Sequence, residues 1–186
     1  MSKVKLISHT MGAGELEGKS PQDVISYVAR VSNPHNQESF HTAGGLLKYG
    51  IAAQILRHRS FTYQEFSQRY ASTELLDSEI EVPELRRQDK KNRQNSTSDL
   101  PPGLVKEYEG KIARHYDDAM WLYQQLLDNG IAKECARFVL PLGVGTRIYM
   151  TGTCRSWIHY IDLRSDNGTQ KEHRAIALMS QVIFKG

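Results

Sequence analysis

The chain is predicted to fold as an α+β protein in a single domain, residues 1–186, and three observations carry that prediction. Leu104, Tyr108, Ile112, Met120, Tyr123, Leu126 and Leu127 lie near one stripe at helical spacing, enough for a long amphipathic helix. Two segments far apart in sequence, 3–8 and 147–153, have the alternation or the β-branched and aromatic content of strands. No internal repeat and no linker separates the 186 residues into two cores.

Each element follows from local chemistry. Residues 3–8 alternate Lys-Val-Lys-Leu-Ile-Ser and predict the first strand. Ser20-Pro21-Gln22-Asp23 opens a helix, with Ser20 as cap, Pro21 in the first turn and Val24, Tyr27 and Val28 on the buried face. Pro34 stops it. Residues 42–56 read as a further helix despite Gly44, Gly45 and Gly50, each costing roughly 1 kcal/mol against alanine. Residues 60–70 lose the helical period and predict an extended segment. From Leu85 to Leu100 there is almost no apolar content, which predicts a mobile loop over 85–100. The long helix spans 104–129 and Gly130 ends it. A short helix over 132–139 stops at Pro141 and Gly143, the strand 147–153 follows, and helices over 156–163 and 171–184 flank an Asp166-Asn167-Gly168 turn.

Composition narrows the function classes. A formal net charge of +3 is too mild to imply nucleic-acid binding. With no leader-like segment and no apolar run of membrane-spanning length, a soluble cytoplasmic protein is expected, without membrane partners. Cys135 and Cys154 lack Cys-x-x-Cys spacing and are expected to be buried free thiols. The seven histidines lack His-x-x-x-His spacing, so no metal is expected.

The densest chemistry lies between Gln54 and Tyr70. Arg57, His58 and Arg59 follow the apolar run Ile51, Ala52, Ile55 and Leu56, so they emerge from the last turn of a helix, where the dipole favours cations. A solvated helix end is the plain alternative. Glu65, Ser67 and Arg69 then project from one side of the extended segment, a carboxylate, a hydroxyl and a guanidinium suited to a phosphate, a sugar or a planar heterocycle. Downstream, Arg137 sits in the mostly apolar Glu-Cys-Ala-Arg-Phe-Val-Leu-Pro, where an unpaired guanidinium is costly; it calls for an anion or a structural ion pair.

The run Arg57-His58-Arg59-Ser60-Phe61-Thr62-Tyr63-Gln64-Glu65-Phe66-Ser67-Gln68-Arg69-Tyr70 resembles the signature of flavin-dependent thymidylate synthases, Arg-His-Arg-x-x-Ser-x-Asn-Glu-x-Ser-x-Arg-Tyr. Thr62 stands for the usual Ser and Gln64 for the usual Asn. Further matches are Ala-Arg-Val-Ser at 29–32, the Ala-Arg-x-x-Leu-Pro around Arg137, Arg155, Arg164, and Gln170-x-Glu172. Against the relatives it resembles, the chain lacks about two dozen core residues between Tyr49 and Gly50, a stretch expected to hold a strand of the central sheet.

The resemblance implies a central, mainly antiparallel sheet flanked by helices, and a homotetramer with shared active sites. It implies reductive methylation of dUMP to dTMP, using methylenetetrahydrofolate, FAD and reduced nicotinamide (NADPH), without a cysteine nucleophile. Arg164 would be catalytic, stabilising negative charge on the uracil. The dUMP pocket would comprise Gln54, Ile55, Leu56, Arg57, Glu65, Phe66, Ser67, Gln68, Arg69, Arg137 and Arg164, with Ser67 as a hydrogen-bond donor. FAD would contact Arg57, His58, Arg59, Glu65, Thr153, Cys154, Arg155 and His159. Two other readings stand beside it. One is a shortened inactive relative that keeps nucleotide binding or oligomerisation; the other is a nucleic-acid-binding module using the basic residues 86–93 and nearby tyrosines.

Overall fold

The structure, a computed structural model, describes residues 4–9, 40–67 and 80–185. The helix expected from Ser20 lies outside the described residues, as do Gln68 and Arg69. The chain packs as two compact units that alternate along the sequence. One comprises Lys48–Gly50 and Phe66–Thr146; the other comprises Ser2–Leu47, Ile51–Glu65 and Arg147–Gly186.

The second unit is built on a sheet in the order β1 (Lys5–His9), β2 (Phe40–Lys48), β6 (Gly145–Thr153) and β3 (Thr62–Glu65). β1 runs antiparallel to β2, with Lys5 opposite Gly44, and β3 antiparallel to β6, with Thr62 opposite Thr151 and Glu65 opposite Ile148. β2 corrects the helix expected over 42–56. The helix α1 is confined to Tyr49–Ile55, and 40–48 is strand. Gly44 and Gly45 remove helical propensity where β1 offers a backbone ladder, so the glycine-weakened stretch pairs instead of coiling. That strand also bears on the segment missing after Tyr49, because β2 occupies the sheet position between β1 and β6.

β6 alternates cleanly: Thr146, Ile148, Met150 and Gly152 are buried, while Arg147 and Tyr149 are exposed. It leads directly into α4 (Cys154–Arg164), capped by Thr153, whose Oγ1 accepts the Ser156 N–H at 3.2 Å. After the turn at 166–168, where the Asp166 side chain accepts the Gly168 N–H, α5 (Lys171–Lys185) packs back along α4. The core of this unit joins Ile51, Ala52 and Ile55 of α1 to Phe61, Ile148, Met150, Trp157, Tyr160, Ile161, Ile176 and Ala177. Trp157 is the largest fully buried side chain, and its truncation to alanine would cost about 3–5 kcal/mol.

The first unit holds α2 (Pro102–Asp128), with proline in its first turn and Gly130 at φ 78° just past its end, as the sequence predicts. Ala119 and Tyr123 are its buried residues, whereas Leu104 and Tyr108 at its start are exposed. The one-turn helix α3 (Lys133–Ala136) continues as a 3-10 turn, Arg137–Val139, ending before Pro141. Cys135 corrects the expectation of two buried thiols. Cys154 is buried, but Cys135 is exposed, because α3 turns Ala136 inward and the neighbouring position is rotated away by about 100°.

Where a mobile loop is expected, residues 85–100 hold a short hairpin of β4 (Arg87–Gln88) and β5 (Ser96–Thr97). Side chains replace the missing apolar burial. The Asp89 carboxylate accepts from the Lys91 and Asn92 amides at 2.7 and 3.1 Å and from Asn95 Nδ2 at 2.9 Å. Arg86 Nε donates to Ser96 Oγ, and Arg87 is paired with Asp99.

Candidate functional site

α1 ends at Ile55 because the next residues turn: the Arg57 amide donates to the Gln54 carbonyl at 3.3 Å and the His58 amide to the Ile55 carbonyl at 3.0 Å. The Tyr63 hydroxyl clamps this turn from β3, donating to the Ile55 and His58 carbonyls at 2.8 and 2.9 Å. Burial drives its phenol far above the ordinary tyrosine range, so it stays protonated and can only donate to these carbonyls. Arg57 and Arg59 are left exposed on the turn, and neither has an ion-pair partner among the described residues.

His58 lies half-buried between them, and there the turn meets α4. Arg164 Nε donates to His58 Nε2 at 2.9 Å across 106 positions of sequence. An accepting Nε2 requires a neutral ring protonated on Nδ1. Burial first, then the Arg164 charge and His159, lowers the His58 pKa and favours that neutral form. Arg164 is half-buried, forms no other hydrogen bond among the described residues, and has no carboxylate in ion-pair range there. Among the described residues nothing cancels the charge of this cation.

Behind this pair sits a buried histidine. His173 of α5 has no exposed surface; its Nδ1 lies 3.3 Å from Gln54 Oε1 and its Nε2 lies 3.2 Å from the Tyr160 hydroxyl. Its ring stands edge-on to His58 with centroids 6.0 Å apart. Burial, Arg164 and His58, in that order, push its pKa down to about 4, so it too is neutral. The Gln54 amide also donates through Nε2 to Gln170 Oε1, and Gln170 Nε2 donates to Glu172 Oε2 at 3.0 Å. His173, Tyr160 and Tyr63 were not among the residues predicted from sequence. The available signal was spacing: Tyr160 and Arg164 are i,i+4 on one helix, and Gln170 and His173 are three apart.

The remaining predicted residues fall as follows. Ile55 is buried in the core and Leu56 is exposed. Glu65 ends β3, half-buried on the same face as Tyr63, and Phe66 and Ser67 follow it, also half-buried. Thr153 is the α4 cap, and the Cys154 side chain is buried. Arg155 and His159 are exposed on α4. The structure therefore brings Gln54, His58 and Arg164 together in the second unit. Arg137 belongs to the first unit, half-buried with its guanidinium 5.5 Å from the Phe138 ring, and Phe138 is 81% exposed. Its setting is thus less apolar than the sequence suggests. No His/Cys/Asp/Glu cluster able to hold a metal occurs among the described residues, and no helix there is long and apolar enough to cross a membrane.

Residues 9–185 match the family model described as thymidylate synthase complementing protein. A probable flavin-dependent thymidylate synthase of Paramecium bursaria Chlorella virus 1 is 46% identical, covering 97% of this chain and 92% of the relative. A flavin-dependent thymidylate synthase of Synechocystis is 42% identical, covering 97% and 93%. The alignment to the viral relative extends over 207 residues, more than the 186 of this chain, so the relative carries residues that this chain lacks. In fold, the chain is similar to a UMP/dUMP methylase, PolB of Streptomyces cacaoi, solved with 5-Br dUMP, at a TM-score of 0.76 and 22% identity over 99% of this chain and 90% of that one.

Proposed function

The chain belongs to the thymidylate synthase complementing protein family, as a flavin-dependent methyltransferase, and from that premise we propose that it methylates dUMP reductively to dTMP. The observation that carries the residue-level reading is the Arg164–His58 pair. A guanidinium held by a neutral imidazole keeps its full charge, with its two Nη groups available as a planar donor fork. Laid against the N3/O2 edge of uracil, that fork would stabilise the negative charge that develops as C5 becomes nucleophilic. His58 orients Arg164, and Tyr63 fixes the turn that carries His58.

The donor chemistry fits a flavin dinucleotide. Arg57, Arg59, Arg155 and His159 are exposed N–H donors in the second unit, suited to a pyrophosphate, and Glu65 and the backbone around Thr153 and Cys154 complete the expected contacts. When bound, FAD supplies the hydride that the methylation consumes, with NADPH as electron source and methylenetetrahydrofolate as one-carbon donor. Arg57 holds the nucleotide end, and Gln54 offers its amide to dUMP. Cys154 is buried, which disfavours that thiol as a nucleophile at uracil C6, and the route without covalent attachment to cysteine is the one the family resemblance implies. We further assign Phe66, Ser67, Gln68, Arg69 and Arg137 to the dUMP set, 1–186 to one domain and a homotetramer to the assembly, assignments that membership of the family, matched over residues 9–185, supports.

The test is dTMP formation from dUMP with FAD, NADPH and methylenetetrahydrofolate supplied. Arg164→Ala is expected to lose at least about 100-fold in turnover, the scale of a removed oxyanion donor, with its elution volume unchanged. Unchanged thymidylate formation would remove Arg164 from this role. A second reading, a shortened relative that binds dUMP without turning it over, is favoured by the residues absent relative to the viral protein; it predicts dUMP binding without product in the unsubstituted chain.

A further inference from the structure

Five side chains behind the Arg164–His58 pair form a hydrogen-bond chain whose direction can be worked out atom by atom. Gln54 Oε1 is a carbonyl and can only accept, so the His173 Nδ1 facing it carries the proton. His173 Nε2 is then an acceptor, and the Tyr160 hydroxyl donates to it. Burial raises the Tyr160 phenol far above the ordinary tyrosine range, so that donor is permanent. At the other end Gln54 Nε2 donates to Gln170 Oε1, and Gln170 Nε2 donates to the Glu172 carboxylate. Every bond points the same way, from Tyr160 through His173, Gln54 and Gln170 to Glu172.

The consequence falls on Gln54. A glutamine amide offers two N–H donors and two acceptor lone pairs, and a flip of its terminal torsion exchanges them. Here His173 occupies one lone pair and Gln170 one N–H, and a flip would set the Gln54 NH2 against the His173 Nδ1–H, donor against donor. One N–H and one lone pair remain, in fixed positions. Gln54 itself is half-buried on α1, one residue from the core position Ile55.

We propose that His173 is a positioning residue for the nucleotide: its Nδ1–H holds the Gln54 amide in the single orientation that presents a defined donor–acceptor pair to the dUMP ligand. The proposal rests on the reading of Gln54 as part of the dUMP pocket. A histidine serves better than lysine or arginine, because it brings a directed donor into the core without a second charge beside Arg164. It also serves better than leucine, which fills the volume but leaves the amide held from the Gln170 side alone.

Two measurements test it. In protein labelled with 15N-histidine, imidazole nitrogen shifts should show His173 as the neutral Nδ1–H tautomer at pH 7; an Nε2–H tautomer would overturn the proposal whatever the protein binds. Equilibrium binding of dUMP should weaken about five- to tenfold in His173→Leu, the loss of one to two oriented hydrogen bonds. His173→Asn places an amide donor near the Nδ1 position and should recover most of that loss. The FAD absorbance spectrum should be the same in both variants, and in turnover the change should appear in KM for dUMP rather than in kcat. Equal weakening in the Leu and Asn variants, or no weakening in either, would overturn the proposal. If the unsubstituted protein shows the Nδ1–H tautomer yet binds no dUMP, the assignment of the pocket fails and the positioning role falls with it.

Discussion

Gly152 is the position where one added methyl group should do measurable harm. It is buried in β6, and a Cβ built there would lie 2.5 and 2.6 Å from Cδ1 and Cε1 of Phe61. Carbon atoms rest about 3.5–4.0 Å apart, so the ring would have to retreat by about 1 Å. It has little room to do so: Phe61 packs edge-to-face against Trp157, centroids 5.0 Å apart, and against Tyr160 at 5.9 Å. Overpacking of this kind costs about 1–3 kcal/mol. For a chain of this length each kilocalorie lowers Tm by about 2–4 °C, so Gly152→Ala should melt about 2–12 °C below the parent in a circular-dichroism scan. The site should feel the same push, because the Phe61 amide donates to the His58 carbonyl at 3.4 Å. Phe61→Leu supplies the control. With the ring gone the alanine should be tolerated, giving a coupling of about 0.5–3 kcal/mol in the double-mutant cycle. A Gly152→Ala protein that melts with the parent, or one whose loss is simply additive with Phe61→Leu, would refute the packing account.

Two more outcomes follow from charge and local hydrogen bonding. His173 takes up a proton near pH 6.5 in the unfolded chain but only near 4 in the fold, where Arg164, His58, Tyr160 and Gln54 face it. Between those values the unfolded state binds more protons, so its stabilising contribution is complete above about pH 6.5 and shrinks as pH falls, by up to about 3 kcal/mol near pH 4. The lowered pKa of His58 acts in the same direction. Urea midpoints measured from pH 7.5 to 4.5 should therefore decline more steeply in the parent than in His173→Leu; parallel slopes would exclude His173 as the source. In the hairpin, Asp89→Ala removes three accepted hydrogen bonds, so trypsin should cut several-fold faster at 90–93 with little change in Tm. An unchanged cleavage rate would mean that the Asp89 contacts do not hold the loop.

The long helix α2 and the β6-α4-α5 succession were legible because their signals are long and are bounded by proline, by glycine or by the Asp166-Asn167-Gly168 turn. Residues 40–48 were not. Phe40, Ala43, Leu46 and Leu47 fall at helical spacing, and what makes the run a strand is the ladder supplied by β1, some thirty-five residues earlier. The hairpin at 87–97 escaped notice for a related reason: composition counts apolar surface, whereas here one aspartate and two arginines satisfy the backbone and side chains locally. At the site, the family resemblance named Gln54, His58 and Arg164 separately. Sequence could not show that His58 and Arg164 bond to each other, nor that a histidine outside the motif, His173, faces Gln54, because these meetings span more than a hundred positions.

Why an imidazole rather than a carboxylate holds Arg164 follows from what each would leave behind. A carboxylate would orient the guanidinium through a stronger, charge-assisted bond, but it would also cancel the charge that an incoming anion needs. Neutral His58 supplies direction alone. The arrangement has a stability cost, since the cation stays half-buried without a counter-charge among the described residues and adds to burial, the larger cause, in lowering the pKa of both His58 and His173. Acid undoes it at the same point: a proton on His58 Nε2 removes the acceptor for Arg164 Nε and places two cations in contact. An anionic group brought up to Arg164 would do the reverse, supplying a counter-charge that the described residues lack. Ligand at about 100 times its Kd would add about 2.7 kcal/mol to the folded state. The residues that would grip the nucleotide are thus those that leave the empty fold less stable than it could be, and it is His58, not an acidic neighbour, that makes the two properties inseparable.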